Sequence, residues 1–301
     1  MREALEAVSS WPVANAAVAV IGIGSSELGA AGDKAQLLAA TGPIDRRFSW
    51  ASVTKLATAL SVLVAVEEWI VAIDEPAGPP GSTVAHLLAH ASGLGSAPGP
   101  PVAPPGSVRI YSNYGYHLLA DLLAERSGMA FVDYLATGVT GPLGMVRTIL
   151  DQCPRSGGPA AGLSGPLVDL IALASEWSSP TLISAGTHRM ATGVTLPGLP
   201  GVLPGFKRFD RCDWGLGAEV RDDKQPHWTG TANSPLTYGH FGRSGAFLWV
   251  DPVAGIACVA VADRDFGPWA QRAWPVVSDA VLAEFGRQAG PTDPLGPAEG
   301  A

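Results

Sequence analysis

Strand-like segments at both ends of this 301-residue chain, with helical segments between them, constrain its fold more than any other feature. Residues 14–24 and 36–41 are apolar runs joined by a segment rich in Gly and Ser, and residues 245–251 and 256–262 flank the turn at 252–255 as the arms of a hairpin do. Strands must pair with other strands. The pattern therefore predicts an α+β fold, in which an antiparallel sheet built from both chain ends is flanked by helices and a mostly helical subdomain is inserted.

The longest helical pattern covers residues 52–73, where leucines recur at helical intervals and Ser49 is the expected N-cap. Shorter helices are predicted at 3–11, 84–91, 114–127, 167–177 and 269–285. We expect residues 1–290 to form a single domain, with a sheet subdomain at about 1–50 and 207–287 and a helical subdomain at about 51–206. A flexible tail is expected at 288–301.

Composition and charge exclude several classes of function. Charged residues make up 15% and hydrophobic residues 47% of the chain, so a sizeable core is available and global disorder is excluded. The net charge is −8 and the longest basic run is the pair Arg46-Arg47, so no nucleic-acid partner is expected. The apolar run at 56–66 is too short to span a membrane, and Glu3 and Glu6 are unlike a secretory signal, so we predict a cytoplasmic protein without a membrane partner.

No cofactor or metal is expected. Three widely spaced cysteines form neither a disulfide framework nor a C-x-x-C pair and are predicted to be buried thiols: Cys153, Cys212 and Cys258. Gly-x-Gly follows the first predicted strand, but Glu27 occupies the third glycine position of a dinucleotide-binding loop. His86 and His90 have the spacing of a metal-binding pair, yet the usual glutamate between them is missing and no third ligand is evident.

Ser52 and Lys55 stand three residues apart at the start of the longest predicted helix, so both side chains project from one face. A serine hydroxyl becomes a nucleophile when a neighbour removes its proton, and a lysine does this when burial or nearby positive potential lowers its pKa. We expect the helix N-terminus to supply that potential and to offer backbone N–H groups to an oxyanion. Lys55 is one of only four lysines and precedes the most apolar helix, which favours a catalytic role over that of a solvated lysine.

Tyr111 and Asn113 follow a Pro-rich loop at 98–106. A nearby Lys55 is expected to lower the pKa of the Tyr111 phenol, which would then shuttle a proton between the nucleophile and the leaving group. The Asn113 amide is suited to orient either a substrate carbonyl or Lys55. The alternative is that Tyr111 packs beneath the loop and Asn113 caps the next helix.

His240, Gly242 and Arg243 lie at the start of the predicted C-terminal hairpin. An edge strand beside a nucleophilic serine can donate a backbone N–H to an oxyanion hole, while its first residue faces the leaving group. Trp177, Trp214 and Trp228 are expected either to line an apolar pocket or to pack in the core.

In chain order, the motifs S-x-x-K, Y-x-N and H-x-G resemble those of the serine beta-lactamase and penicillin-binding protein superfamily, and most closely its class C branch. Four further segments are similar to the same family: FSWASVTK, LLAHASGL, YSNYGYHLL and PLGMVRT. Together with residues 249–252 they extend the resemblance over about residues 15–285. The resemblance implies a beta-lactamase/transpeptidase-like fold and a single catalytic domain.

The same resemblance implies roles for individual residues. Ser52 would be acylated, Lys55 and Tyr111 would share the general-base and proton-return roles, and Asn113 would position substrate and Lys55. The backbone N–H groups of Ser52 and Arg243 would form the oxyanion hole. The helix that carries His86 and His90 would pack beneath the site.

The third motif departs from the lactamase pattern K-T-G, because His240 replaces the lysine and Phe241 the hydroxyl residue. The carboxylate of a beta-lactam would lose a cation and a hydroxyl donor, each worth about 1.5–3 kcal/mol. H-x-G triplets are common in the esterase and peptidase-like members of the family. The sequence therefore predicts a serine hydrolase that cleaves small esters or amides through an acyl-enzyme.

Two alternatives fit the same motifs. One is a beta-lactamase, a DD-peptidase or a D-aminopeptidase that uses the same serine, lysine and tyrosine. The other is a binding or regulatory homologue with little activity, which the altered third motif favours and the intact first two motifs oppose.

Overall fold

The structure is a computed structural model that describes residues 3–24, 35–151 and 157–287. The predicted tail at 288–301, Glu27 and Cys153 lie outside the described residues. The division into two subdomains stays a prediction.

Eleven strands occur in the described part of the chain: β1 (Ala16–Gly22), β2 (Gln36–Thr41), β3 (Phe48–Ser49), β4 (Ile149–Leu150), β5 (Leu163–Gly165), β6 (Gly201–Val202), β7 (Arg208–Phe209), β8 (Glu219–Val220), β9 (Tyr238–Gly242), β10 (Ala246–Asp251) and β11 (Ile256–Ala262). Six of them form an antiparallel sheet in the order β2-β1-β11-β10-β9-β8. β1 pairs with β11 along its whole length, with Ala16 opposite Ala262. The predicted α+β class, with one sheet made from both chain ends, is confirmed.

Nine α-helices accompany the strands in the same described ranges: α1 (Glu3–Glu6), α2 (Thr54–Glu67), α3 (Val84–Leu88), α4 (Asn113–Ser127), α5 (Phe131–Leu135), α6 (Gly158–Ala161), α7 (Leu167–Ser178), α8 (Ala185–Thr192) and α9 (Pro268–Phe285). None of the helices in these ranges is long and apolar enough to cross a membrane.

Two helices are shorter than the sequence pattern predicts. α2 ends at Glu67, and Trp69 follows with a φ of 59°. α3 ends at Leu88, and His90 has a φ of 55°. A residue in the left-handed region cannot continue a right-handed helix, so the chain turns at both points although the apolar pattern runs on. The predicted N-cap Ser49 was also wrong, because it lies in β3 and a 3₁₀ turn, Ala51–Val53, precedes α2.

The main sheet has an apolar layer on each face. Alternate residues of β11 point to opposite sides, so Val259 packs with α2 and α7 while Cys258 packs with α1 and α9. Cys212 belongs to the second layer as well, and both cysteines are buried free thiols, as predicted. The helices that lie between the two groups of strands in the chain cover the sheet face that contains Val259. In this arrangement the start of α2 lies beside the end of β9.

Gly242 at the end of β9 allows the sheet to approach the turn before α2. A Cβ atom at this position would lie 2.2 Å from the carbonyl oxygen of Trp50, which is far inside van der Waals contact. Only glycine fits this spacing. The requirement brings the late strand β9 against the residues that lead into Ser52.

Candidate active site

Ser52 occupies the middle of the 3₁₀ turn before α2 and is half-buried beside a cavity. Ala51 in front of it has a φ of 44°, which residues other than glycine rarely adopt. Such strain is found where surrounding structure fixes a backbone for a functional reason. The turn thus presents the serine at a defined point between α2 and β9.

Lys55 is completely buried in the first turn of α2. Its Nζ atom donates to Asn113 Oδ1 at 2.7 Å and to the backbone oxygen of Ala160 at 2.9 Å. Burial lowers the pKa of Lys55 well below the ordinary value of 10.5. The predicted lowering is confirmed, but its cause is burial and not the helix N-terminus. A neutral amine carries two protons, and both can serve these two acceptors, so its lone pair remains to accept another.

Tyr111 lines the same cavity, with the Lys55 Nζ atom 4.6 Å from the centre of its ring. Burial raises the pKa of Tyr111 above its ordinary value, and a hydrogen bond with the Ser52 side chain offsets part of that effect. The expectation that Lys55 lowers this pKa was wrong, because the buried lysine favours its own uncharged form. The phenol is therefore neutral and in contact with Ser52.

Asn113 begins α4, and the cap of this helix is its neighbour Ser112, whose Oγ accepts from the backbone N–H of Gly115 at 2.9 Å. The alternative that Asn113 is the cap was wrong. Its side chain faces Lys55 instead, as the 2.7 Å hydrogen bond shows.

His240 is buried in β9, with Nδ1 2.7 Å from the backbone oxygen of Phe241 and Nε2 3.5 Å from the Tyr111 hydroxyl. A carbonyl only accepts hydrogen bonds, so this geometry assigns the proton to Nδ1 and leaves Nε2 as an acceptor. Burial lowers the pKa of His240 to about 3. The third motif thus presents a neutral imidazole to the cavity.

The backbone N–H groups of Ser52 and Arg243 have no acceptor among the described residues. Ser244 Oγ donates to the Ser49 backbone oxygen at 2.7 Å, which ties the β9–β10 turn to the chain before the serine. The Arg243 side chain is 86% exposed and its Nε lies 3.4 Å from Asp265. Two free amides beside the serine fit the expected oxyanion hole, which stays a prediction.

The cavity that joins these groups has a volume of about 390 Å³. Its walls are mostly apolar and consist of Leu203, Pro204, Trp214, Trp228, Phe241 and Phe266. Of the tryptophans with two expected roles, Trp214 and Trp228 line the cavity, whereas Trp177 packs in the core.

A buried charged cluster beneath the cavity was not predicted. The Glu219 carboxylate accepts from Lys224 Nζ at 2.9 Å, His227 Nε2 at 2.9 Å and Trp228 Nε1 at 2.8 Å. Burial alone would raise the pKa of Glu219, but His227 and Lys224 outweigh it and lower the value to about 2. Lys224 is 1% exposed. In the sequence, the signal that could have identified the cluster was the rarity of lysine, because Lys224 is one of only four in an apolar chain.

His86 and His90 do not share a ligand site. His86 Nδ1 lies 2.8 Å from Thr83 Oγ1, and His90 Nδ1 accepts from the backbone N–H of Ser112 at 3.2 Å. Across residues 3–24, 35–151 and 157–287, no three His, Cys, Asp or Glu side chains converge as a metal site would require.

Residues 12–282 match the sequence profile of the family described as Beta-lactamase. A solved structure of a beta-lactamase from Mycobacterium bovis is 49% identical, covers 94% of this chain and 100% of its own, and superposes with a TM-score of 0.87. EstCE1, described as a hydrolase with promiscuous acyltransferase activity, is 17% identical over 93% of this chain and 96% of its own, with a TM-score of 0.72, which shows the fold alone.

Among curated proteins, the D-alanyl-D-alanine-carboxypeptidase/endopeptidase AmpH of Escherichia coli K12 is 31% identical over 146 residues, which are 35% of this chain and 38% of AmpH. The chain therefore spans less than half the length of the curated relatives it matches.

Proposed function

The chain belongs to the beta-lactamase family of serine hydrolases, and from this premise we propose that it hydrolyses small uncharged esters through an acyl-enzyme on Ser52. Membership confirms the superfamily and the fold inferred from the sequence motifs. The choice of an ester rests on one observation, the neutral His240 at the position where K-T-G proteins carry a lysine.

In the proposed acylation step, the neutral Lys55 amine accepts the proton of Ser52 as Oγ attacks the ester carbonyl. The new oxyanion is stabilised by the backbone N–H groups of Ser52 and Arg243. The ester C–O bond then breaks, and the leaving alkoxide takes the proton of the Tyr111 hydroxyl, which is replaced from Lys55. Asn113 holds the amine in position throughout, through its 2.7 Å hydrogen bond.

Deacylation reverses these proton transfers with water as the nucleophile. Lys55, neutral again, accepts a proton from water, relayed through the Tyr111 hydroxyl, as the water oxygen attacks the acyl carbon, and this proton then passes to Ser52 Oγ. The bond to Ser52 Oγ breaks, Oγ recovers a proton, and the carboxylic acid leaves. No carboxylate base is needed for deacylation, because the Lys55 amine and the Tyr111 phenol serve both halves of the cycle.

The cavity supports an apolar acyl group and an uncharged leaving group. Its walls carry two tryptophans and two phenylalanines besides Tyr111, and Glu219 beneath them is already neutralised by Lys224. Arg243, the cation among the described lining residues, is paired with Asp265 at the exposed rim. An anionic substrate would therefore find little compensation for its lost hydration.

A beta-lactamase activity is the second candidate. It is favoured by the 49% identity to the Mycobacterium bovis protein, which is described as a beta-lactamase, and by Arg243 at the cavity rim. The second candidate also includes a peptidase that cleaves amides with the same groups.

The test compares p-nitrophenyl acetate, butyrate and octanoate with nitrocefin as substrates, and includes a fluorophosphonate probe of the nucleophile. We expect ester turnover, one covalent adduct per chain at Ser52, and neither in the Ser52→Ala variant. A matched control, Ser61→Ala, removes a buried hydroxyl that bonds only to a backbone oxygen of the same helix and should leave turnover unchanged. Nitrocefin turnover faster than that of every ester would favour the beta-lactamase, and absence of the adduct would refute a nucleophilic Ser52.

A further inference from the structure

His90 lies directly behind the cavity and is 1% exposed. Its backbone has a φ of 55°, a left-handed conformation that a non-glycine residue keeps only when its surroundings require it. The sequence suggested metal binding or simple packing for this residue. Neither explains why a polar ring is held in a strained backbone against catalytic side chains.

His90 holds the chain on both sides of Tyr111. Its backbone oxygen accepts from the N–H of Ile110 at 2.9 Å, and its Nδ1 accepts from the N–H of Ser112 at 3.2 Å. Its ring also lies 4.6 Å from the Tyr111 ring, at an angle of 40°. One residue thus fixes the amides before and after the phenol as well as one face of its ring.

The same contact reaches the lysine. Ser112, whose N–H His90 accepts, caps α4, and Asn113 follows it with its side chain on Lys55. A displacement of the chain at Ser112 would therefore move both the phenol and the partner of the amine.

The hydrogen-bond geometry also defines the form of the ring. Because Nδ1 accepts from an amide, the proton of the neutral imidazole lies on Nε2, which has no polar partner among the described residues. The imidazole packs among aromatic rings, and the centre of the perpendicular Trp214 ring lies 4.6 Å from the centre of the His90 ring. Burial lowers the pKa of His90 well below its ordinary value, in agreement with a neutral acceptor. An apolar side chain would fill the space but would leave the Ser112 amide without its acceptor.

We propose that His90 is a positioning residue for the hydrolase: its imidazole Nδ1 and backbone oxygen set the position of Tyr111 and, through Ser112, that of Asn113. The proposal rests on the proposed function for its kinetic consequence. It concerns a residue that touches no substrate and acts through the proton carrier.

The test compares three variants with the wild-type chain. His90→Leu keeps the volume and removes the acceptor, and His90→Asn keeps an acceptor oxygen at the same distance along the side chain and tolerates a positive φ. The matched control is His188→Leu, since His188 is 3% exposed, bonds one backbone oxygen at 2.8 Å through Nε2 and has an unpartnered Nδ1, but lies away from the cavity.

We expect His90→Leu to lower kcat for p-nitrophenyl butyrate about 100-fold, the effect of misplacing a catalytic group by about 1 Å, with KM changed less than about threefold. His90→Asn should recover kcat to within about tenfold of the wild type. His188→Leu should keep kcat within about threefold, although its melting temperature falls. If His90→Leu does not fold, His90→Gln, which moves the acceptor outward by one bond, takes its place with the same expected loss.

Equal kcat values for His90→Leu and His188→Leu would overturn the proposal, and so would a loss in His90→Asn as large as in His90→Leu. A second readout does not depend on the reaction. Crystal structures of the variants should show the Tyr111 hydroxyl moved away from Ser52 in His90→Leu but not in His188→Leu. An inactive wild type with this displacement would refute the proposed function alone, whereas an active wild type with an unmoved tyrosine would refute the role of His90 alone.

Discussion

Replacing Glu219 by glutamine tests the buried charged cluster beneath the cavity. The carboxylate is 2% exposed and accepts from three side chains, and its pKa is about 2 against an ordinary 4.5. Because a tenfold change in acid dissociation is worth about 1.4 kcal/mol, this lowering corresponds to about 3 kcal/mol of folding free energy. The variant also leaves the Lys224 ammonium buried without its partner, and breaking a buried pair in this way costs about 3–5 kcal/mol.

The pH dependence gives the prediction its sign. Glu219 has a lower pKa in the folded protein than in the unfolded chain, so its contribution is complete above pH 4.5 and is lost as the pH falls towards 2. Between pH 6 and pH 3 the wild-type protein should therefore lose about 2 kcal/mol that Glu219→Gln does not lose. Glutamine has one acceptor oxygen where glutamate has two, so either Trp228 Nε1–H or Lys224 Nζ must face an NH2 group, and the resulting shift of the cavity wall should raise KM for an ester.

The assay is urea unfolding of both proteins at pH 6, 5, 4 and 3. Glu219→Gln/Lys224→Met, which removes both charges, should recover part of the stability lost in the single variant. The exposed pair of Asp45 and Arg147 is the matched control, and Asp45→Asn should change the free energy of unfolding by less than about 0.5 kcal/mol. A difference between wild type and Glu219→Gln that is the same at pH 6 and pH 3 would refute the reasoning.

Three further predictions concern the cavity and its base. Because burial lowers the pKa of Lys55, the folded protein binds fewer protons than the unfolded chain below pH 10.5. The free energy of unfolding of the wild type, relative to that of Lys55→Met, should therefore rise between pH 7 and pH 10 by at most about 1.4 kcal/mol per pH unit. Urea unfolding of both proteins measures this difference. Phe241→Leu opens the wall where the Phe241 and Phe266 rings pack at a tilt of 44° with their centres 4.7 Å apart. The ratio of kcat/KM for the octanoate ester to that for the acetate ester should rise at least about tenfold, and an unchanged ratio would show that the acyl group lies elsewhere. The double variant His240→Lys/Phe241→Thr supplies a cation and a hydroxyl, and its nitrocefin turnover should be at least about tenfold higher than that of the wild type. No rise would mean that these two contacts do not limit recognition of the carboxylate.

The sequence predicted four strands of the main sheet and the residues that gather at the candidate site, because both depend on local signals. The apolar run of residues 256–262 is long and uninterrupted, and its strand occurs with the same bounds. Ser52, Lys55, Tyr111, Asn113 and His240 were identified by motif and meet around one cavity or hydrogen-bond to its lining.

The properties that the sequence did not predict arise from contacts distant in the chain. The pKa of Tyr111 depends on how completely the fold removes it from water, which no spacing encodes. The ends of α2 and α3 depend on left-handed residues, Trp69 and His90, that carry no glycine signal. Glu219, Lys224 and His227 follow no familiar spacing, and their pairing appears only once β8 is in place.

The pairing of β1 with β11 has a consequence for synthesis on the ribosome. The two strands are about 240 residues apart, so β1 leaves the ribosome long before its central partner exists, and among the described strands β2 is the partner that is made earlier. Contacts of such long range slow folding and expose apolar strand edges in partly made chains. The cavity beside Ser52 and Lys55 forms only when β9 has joined the sheet, which requires β10 and β11 as well. Hydrolytic activity in a translation time course should therefore appear only after residue 262 has emerged. Until then β1 is an apolar strand that a chaperone would need to protect.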